Sequence, residues 1–489
     1  MPAIPEPRPV GALRMFTGGQ WVASLGGRTF ETHNPANGQL IATLPEGTRE
    51  DADRAVAAAR KAQGDFARWS VWQRSRLCRD VADVIEDRKE ALARALSEDQ
   101  GKPYHSEALF EVSKAADGFR DAAEHVKWLE GATIPVEDPN KRVFSIRQPR
   151  GVYAVVTPWN FPINIPVEYL APGLAAGNAI VWVPAPTTSV CAVRLVECLE
   201  EAGVPPGVVN LVTGPGPVVG DAIVSHPDTD AVGFTGSAAT GLTIAQRAAG
   251  KPLLLEMGGN GPVIVLDDAD LDAATQATAS GCFVNAGQVC SSSERILVSE
   301  RVYDDFAERM TRAAKDIRLG DPLDATTTMG PLNNAEVARK VKRHVEDGVE
   351  RGARRLCGGR VRDDLGSDLY FEPTVLTDVA TDSLLNQEET FGPVAPLLRV
   401  GGDEEILEIA NRNTFGLVSS VFTRDLRRAY FFAESLRTGI VNINDTSNYW
   451  ELHIPFGGMS GKNSGVGRIG GRHTLMAMTD LKTVCMDIG

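Results

Sequence analysis

The chain has 489 residues, 43% apolar and 23% charged, with a formal net charge of −14 at pH 7. That length exceeds one ordinary core and suits two or three domains. The acidic balance argues against nucleic acid or an anionic membrane surface as a partner, since either would repel it.

In chain order, Met1 to Val10 holds four prolines and no apolar core of a leader, so no secretory signal is expected there. Arg49 to Trp69 and Trp72 to Leu96 carry apolar residues at helical spacing, and a polar helix is expected over Ser106 to Leu129. From Gly151 the pattern alternates. Val152 to Val156, Ala179 to Val183, Val208 to Val212 and Ala231 to Phe234 read as strands with helices between them. The stretch Leu170 to Pro186 is apolar but interrupted by Pro172, Gly173, Gly177, Asn178 and Pro184, so it reads as helix end, turn and buried strand, not as a membrane span. A second series follows: a strand at Pro262 to Leu266, a helix from Asp270 to about Asn285, a strand at Arg295 to Val298 and a helix from Val302 to Ile317. Strand and helix alternating in this way predict an α/β fold with parallel sheets covered on both faces.

The expected organisation is a dinucleotide-binding domain of residues 1–130 and 149–257 and a catalytic domain of residues 258–460. Residues 131–148 and 461–489 have strand character outside both series. Such detached strands often pair between subunits, which predicts a homodimer or homotetramer. Seven dispersed cysteines without CxxC spacing indicate reduced thiols in a cytoplasm and no zinc site.

Cys290 stands in Asn285-Ala-Gly-Gln-Val-Cys290-Ser-Ser-Ser, where a helix should end among small residues. A lone cysteine is more often buried structure than nucleophile, and its surroundings decide. Glu256 ends an apolar strand in Leu253-Leu-Leu-Glu-Met-Gly-Gly-Asn260. There it either caps a turn or enters the crevice at the strand ends, where burial would lift its pKa toward that of a general base. Asn160, in Thr157-Pro-Trp-Asn-Phe-Pro162, is either a rigid-loop residue or a non-ionising oxyanion donor. Gly214-Pro-Gly-Pro-Val-Val-Gly220 has GxGxxxG spacing and reads as a turn. Ala231-Val-Gly-Phe-Thr-Gly-Ser237 is a strand and small turn before a helix, a place for a dinucleotide phosphate.

Six motifs in order, TPWNFP, GFTGS, LEMGG, GQVCSSSER, EETFGPV and PFGG, together resemble the aldehyde dehydrogenase superfamily. The 34-residue interval from Glu256 to Cys290 fits as well, and the likeness runs from about Asn34 to the C-terminus. The resemblance implies that Cys290 attacks an aldehyde, Asn160 and the Cys290 N–H hold the oxyanion, and water activated by Glu256 hydrolyses a thioester after hydride transfer to NAD(P). It implies that Glu389 holds the nicotinamide ribose, that Phe391 packs near the nicotinamide, and that Trp159 and Ser237 approach the pyrophosphate. Thr157, Val183, Pro186, Gly233 and Gly236 complete the expected cofactor contacts. The expected substrate pocket is lined by Phe161, Ile165, Glu168, Val289, Ser291, Tyr449, Trp450 and Phe456.

Three departures stand out. Val183-Pro-Ala-Pro186 replaces the family's Lys-Pro-Ala-Glu run, removing both polar handles on the adenosine ribose. NAD is favoured with NADP open, and Thr187, Thr188 or Ser189 are candidate replacements. Tyr169 and Ile469 stand where many relatives carry a Lys and a Glu near the catalytic Glu, and joint loss avoids an unpaired buried charge. Tyr449, Trp450 and Gly467-Arg-Ile-Gly-Gly471 resemble benzaldehyde- and vanillin-type members, while Cys290-Ser-Ser-Ser-Glu-Arg295 is closer to lactaldehyde-type members. Aromatic and small hydroxyaldehydes both stay open. A CoA-acylating enzyme is disfavoured by Glu256, and an inactive binding scaffold by the intact catalytic positions.

Overall fold

The computed structural model describes Ile4, Glu6 and residues 11–489, so the reading of Met1 to Val10 lies mostly outside the described residues. Its centre is an eight-stranded sheet in the order Gly465–Val466, Leu253–Met257, Ala231–Gly236, Val152–Val156, Ala179–Val183, Val209–Leu211, Met15–Thr17 and Gln20–Val22. The five central strands run parallel, and antiparallel pairs close both edges. These strands are apolar on both faces because helices cover both. Tyr153, Val155, Ile180 and Trp182 pack toward the helices Val71–Asp87, Leu109–His125 and Asn164–Ala176. The alternate residues Val152, Ala154, Val181 and Val183 pack against Arg49–Phe66 and Ala238–Arg247.

A second sheet has seven strands, in the order Arg354–Cys357, Thr374–Thr377, Val394–Val400, Arg295–Ser299, Pro262–Val265, Val418–Phe422 and Ile440–Ile443. It is parallel except at Arg354–Cys357. The fold is α/β, as the alternation predicts. Among the described residues no helix is long and apolar enough to cross a membrane.

Three local expectations change. The single helix over Trp72 to Leu96 is two, Val71–Asp87 and Lys89–Gln100, broken at Arg88, whose side chain pairs with Glu201. No glycine or proline marks that break. The helix expected over Ser106 to Leu129 begins at Tyr104 with a wide π turn and runs to Trp128. The segment 461–489 is not one detached unit: Gly465–Val466 pairs with Leu255 and Glu256, and Gly471–Ala477 is a helix. Only Thr479–Asp487 projects, and it pairs over nine residues with Lys141–Pro149 of the same chain.

Asn178 ties this projection to the main sheet. Fully buried, it accepts from the Gly151 N–H (3.0 Å) and donates to the Met478 carbonyl (3.0 Å). Asn178→Ala strands both backbone groups, so it should lower unfolding stability by about 2–3 kcal/mol. A urea midpoint equal to that of the unaltered protein would show that the tie carries no stability.

Candidate active site

The carboxyl end of Leu253–Met257 delivers Glu256 between its neighbours Thr235 and Gly465. The residue is 3% exposed, and its Oε1 has no protein partner. Burial pushes its carboxyl up to about 8, the nearby Cys290 thiol opposing the rise and the Glu389 carboxyl adding to it. Immediately after the strand, two glycines make the crossing to the second sheet possible. A Cβ on Gly258 would lie 2.4 Å from Glu389 Oε1, and one on Gly259 would lie 2.2 Å from the Cys290 carbonyl oxygen.

Cys290 comes from the other sheet. The helix Leu271–Phe283 ends, and Asn285 and Ala286 take left-handed backbone (φ 51° and 53°), turning the chain toward the strand Arg295–Ser299. That costly conformation is held from outside. Glu107 accepts from the Asn285 N–H (3.1 Å), Gln100 donates to the Asn285 side-chain oxygen (2.9 Å), and Asn285 donates to the Asn160 carbonyl (3.0 Å). Cys290 itself is half-buried. Burial and the surrounding carboxyls of Glu256, Glu389 and Glu168 push its thiol well up, so the resting nucleophile is protonated.

Asn160 is 3% exposed and donates one amide hydrogen to the Gln288 carbonyl (3.0 Å), which fixes its orientation and leaves the other hydrogen free. Below it lies an ion pair that the sequence reading missed. Lys102 Nζ, fully buried, reaches Glu111 (2.5 Å) and the Asn160 carbonyl (2.9 Å), and it sits 3.9 Å over the Phe161 ring. Glu111 in turn accepts from the N–H groups of Ile163 and Asn164. The loop carrying Asn160 is therefore clamped from both sides.

Asn160, Glu256 and Cys290 share one cleft of about 560 Å³ with Trp159, Ile165, Gly236, Ser237, Glu389 and Phe391. A neighbouring cleft of about 750 Å³ is lined by Thr157, Trp159, Gly236, Ser237 and Lys340 among others. Ser237 caps the helix Ala238–Arg247 by accepting from the Thr240 N–H, so the positive end of that helix opens here. Glu389 accepts from the Gly259 N–H (2.9 Å), and Trp159 and Phe391 meet edge to face at 5.5 Å. Phe391 has φ 59°, unfavourable for an aromatic residue. Glu294 holds it there: its buried carboxylate accepts from the N–H groups of both Thr390 (2.6 Å) and Phe391 (2.5 Å).

Other expected residues fall elsewhere. Gly233 is buried in mid-strand, and a Cβ there would strike the Tyr169 ring at 2.6 Å, so its smallness serves packing against that ring. Val183 is buried and Pro186 exposed, and neither lines the two clefts. Ser189 spends its hydroxyl on the Ala185 carbonyl, while the buried hydroxyls of Thr187 and Thr188 lack protein partners. Tyr169 donates to the Phe234 carbonyl and shares a hydrogen bond with Thr235, each at 2.8 Å; Ile469 is buried and bridges to Phe456. Of the expected substrate residues, Ile165 lines the cleft with Cys290. Trp450 and Phe456 pair at 5.3 Å, Ser291 donates to Asn448 (2.8 Å), Val289 is buried, and Tyr449 is exposed and donates to Glu451. Among the described residues Glu168 pairs with no arginine; its hydrogen bond comes from Asn164 (3.1 Å).

The thiol, the buried carboxyl and the side-chain amide, brought into one cleft from two parallel sheets, match a known group of proteins. Residues 21–484 fit the model of the aldehyde dehydrogenase family. The chain belongs to that family. It is 40% identical over 473 residues to the 3-sulfolactaldehyde dehydrogenase of Pseudomonas putida, covering 96% of each chain. To the succinate-semialdehyde dehydrogenase [NADP(+)] of Escherichia coli it is 38% identical over 472 residues, 96% of this chain and 97% of that one. The aldehyde dehydrogenase of Bacillus cereus in its NAD+ complex superposes with a TM-score of 0.94 at 36% identity, covering 98% and 97% of the two chains.

Within this family member, Lys340 and Glu294 carried no signal the sequence reading could use. Lys340 lies on the charged helix Ala335–Glu350 at ordinary surface spacing, and Glu294 sits inside a quoted motif without an evident task. Glu294→Ala removes two hydrogen bonds from backbone N–H groups to a buried carboxyl, so it should lower stability by about 2 kcal/mol. Glu294→Gln retains an acceptor oxygen and should recover part of the loss. Equal urea midpoints for both variants and the unaltered chain would show that the clamp is not needed.

Proposed function

We propose that the chain oxidises an aldehyde to the carboxylic acid, with Cys290 as nucleophile, Asn160 as oxyanion donor and Glu256 as general base. The observation that carries this reading is the one cleft lined by the Cys290 thiol, the buried Glu256 carboxyl and Asn160 with a free amide hydrogen. In the proposed sequence, the thiol gives its proton to the Glu256 carboxylate as sulfur bonds to the carbonyl carbon. The oxygen, now negative, takes hydrogen bonds from Asn160 Nδ2 and the Cys290 N–H. Loss of hydride leaves a thioester on Cys290. Glu256, having released its proton to solvent, takes one from water as the hydroxide adds to the thioester. The acid leaves, and that proton returns to the thiolate.

A nicotinamide dinucleotide supplies the hydride acceptor when bound. The residues fit one: the Ser237-capped helix end faces the cleft, Glu389 keeps an oxygen beyond its Gly259 bond, and Trp159 and Phe391 form aromatic walls. Lys340 lines both clefts and adds a positive charge beside Glu389. Ser237, Thr157 and Gly236 would lie along the phosphates and Glu389 at a ribose. NAD is favoured and NADP is the alternative, because Val183-Pro-Ala-Pro186 offers no charge that discriminates between them. The relatives named above include one titled for NADP and one solved with NAD+. Tyr169, whose hydroxyl is spent on Phe234 and Thr235, and the apolar Ile469 offer Glu256 no lysine–glutamate relay, so its proton passes to water in the cleft.

The substrate is read as an aromatic or small hydroxylated aldehyde. The Trp450 and Phe456 pair favours a flat group, and the hydroxyl of Ser291 favours a polar one. The projecting sheet, with Ile134, Leu481 and Met486 exposed, supports a homo-oligomer, dimer or tetramer. The sheet composition supports the division near residues 257 and 258, and the free cysteines suit a reducing cytoplasm.

Two outcomes follow. Cys290→Ala should abolish cofactor reduction at 340 nm with benzaldehyde and lactaldehyde, while Glu256→Gln lowers turnover by about 10²-fold or more; full activity in either would remove that residue from the mechanism. The Glu256 carboxyl is protonated below about 8 and charged above it, so base catalysis strengthens as pH rises through that value. The kcat profile should therefore climb across this range, and Glu256→Gln should flatten it. An identical slope in the variant would assign the titration to another group.

A further inference from the structure

An oxyanion site built from Asn160 and the Cys290 N–H needs two loops from different sheets to agree. One loop follows the strand Val152–Val156, and the other leads into the strand Arg295–Ser299. Asn285 spans them. It is buried, and its side-chain nitrogen donates to the Asn160 carbonyl (3.0 Å) and to the Gln288 carbonyl (3.3 Å), two residues before the thiol. The same Gln288 carbonyl takes the fixed hydrogen of the Asn160 amide (3.0 Å). One backbone oxygen therefore receives the side-chain amides of both asparagines, and the direction of the hydrogen that Asn160 keeps free is set by where that oxygen lies.

The residue type suits the task. Asparagine accepts the left-handed backbone found at this position (φ 51°) more readily than most residues. Its remaining polar atoms are also engaged: the N–H donates to Glu107 (3.1 Å), the carbonyl accepts from Gln288 Nε2 (2.8 Å), and the side-chain oxygen accepts from Gln100 Nε2 (2.9 Å). The bond from Gln100 decides which end of the Asn285 amide faces the two carbonyls, because a flipped amide would set oxygen against oxygen. Gln100 is fully buried, and its own side-chain oxygen has no protein partner, a cost that its bond to Asn285 offsets. Without the bridge, Lys102 still holds the Asn160 carbonyl (2.9 Å) and the turn from Gln288 N–H to the Asn285 carbonyl (3.1 Å) still closes. Each loop keeps its own support, and what is lost is their relation.

We propose that Asn285, oriented by Gln100, is a positioning residue that holds the two oxyanion donors in register across the gap between the sheets. Asn285 lines neither the cleft with Cys290 nor the cofactor cleft, so it acts through Asn160 and Gln288. The assignment rests on the aldehyde-oxidising reading above and adds to it the group that sets its geometry.

The test uses the full chain, benzaldehyde, and whichever of NAD and NADP the unaltered protein reduces. Asn285→Gly keeps the left-handed backbone and removes the bridge, so kcat/KM for benzaldehyde should fall about tenfold or more, the scale of a small misplacement of reacting groups. Asn285→Asp keeps the shape but turns a carboxyl oxygen toward both carbonyls, and it should lose at least as much. Alkylation of Cys290 by iodoacetamide, followed by the mass of its peptide, is the control. There sulfur displaces iodide at a tetrahedral carbon and no oxyanion forms, so the rate in Asn285→Gly should stay within about twofold of the unaltered protein, as should cofactor affinity. Activity within about twofold in either Asn285 variant would overturn the proposal, and so would an alkylation rate that falls as far as the oxidation. Gln100→Met keeps the length of the side chain and deletes only the orienting donor and the unpartnered oxygen, so it is the variant to use if those at Asn285 do not fold. It should lower kcat/KM about threefold or more with alkylation unchanged, and full activity would overturn the assignment. If the unaltered protein oxidises benzaldehyde and the variants do so equally well, only the positioning role falls. If the unaltered protein oxidises no aldehyde, the catalytic reading falls and takes this one with it.

Discussion

Gly259 has no side chain because the carbonyl of Cys290 lies where its Cβ would stand, and Gly258 has none because the Glu389 carboxylate is there. Those two close approaches set the rest of the site. Glu256 leaves the first sheet one residue before Met257, and Cys290 and Glu389 arrive from the second domain-sized sheet. A larger residue at Gly259 would push against the Cys290 backbone and part the two sheets where base and nucleophile converge, and one at Gly258 would displace the Glu389 carboxyl. The strain this convergence leaves is held at named points: Asn285 and Ala286 by Glu107 and Gln100, and Phe391 by Glu294. The cost of unusual backbone is offset by hydrogen bonds to buried carboxyls nearby.

The same convergence decides the charge state of the nucleophile. The three carboxyls of Glu256, Glu389 and Glu168 lie around one thiol in a poorly solvated space, and each makes a thiolate more costly. Of the two nearby lysines, Lys102 is committed to Glu111 and to the Asn160 carbonyl, and Lys340 lines the same cleft as Cys290 but acts on the Glu389 carboxyl. The cysteine is therefore a protected thiol at rest, poorly reactive toward stray electrophiles and oxidants. Activation belongs to the loaded site, where the carbonyl carbon is present to trap sulfur as its proton leaves.

Much of this was legible in the sequence where chemistry and chain order coincide. The central strands were readable because β-branched runs buried on both faces alternate with helices, and the ends fell within a residue or two of Val152–Val156 and Ala179–Val183. Cys290 and Glu256 were readable because each sits at a helix or strand end beside small residues, and Asn160 because it sits in a proline-bounded loop directly after a strand. What sequence hid was held by contacts between distant segments. Lys102 and Glu111 are an ordinary lysine and glutamate until the fold buries both. Gly233 looked like a cofactor glycine, yet it is small because Tyr169 occupies the space, a fact visible only once helix and strand are packed. Val183 and Pro186 were placed at the cofactor by position in a motif, and neither lines the clefts. Arg88 breaks a helix with no breaker residue because its partners are on another helix.

The antiparallel edge formed by Gly465–Val466 has a consequence for how the enzyme is made. This two-residue strand covers the open side of Leu253–Met257, pairing with Leu255 and Glu256 themselves. A chain emerging from the ribosome has its carboxylate, amide and thiol long before it has residue 465. Until then the strand bearing Glu256 is an uncovered edge, and the base is exposed to water instead of being buried. The environment that lifts its pKa is therefore completed among the last parts of the chain to be synthesised. An incomplete chain carries the catalytic residues without the desolvation that tunes them.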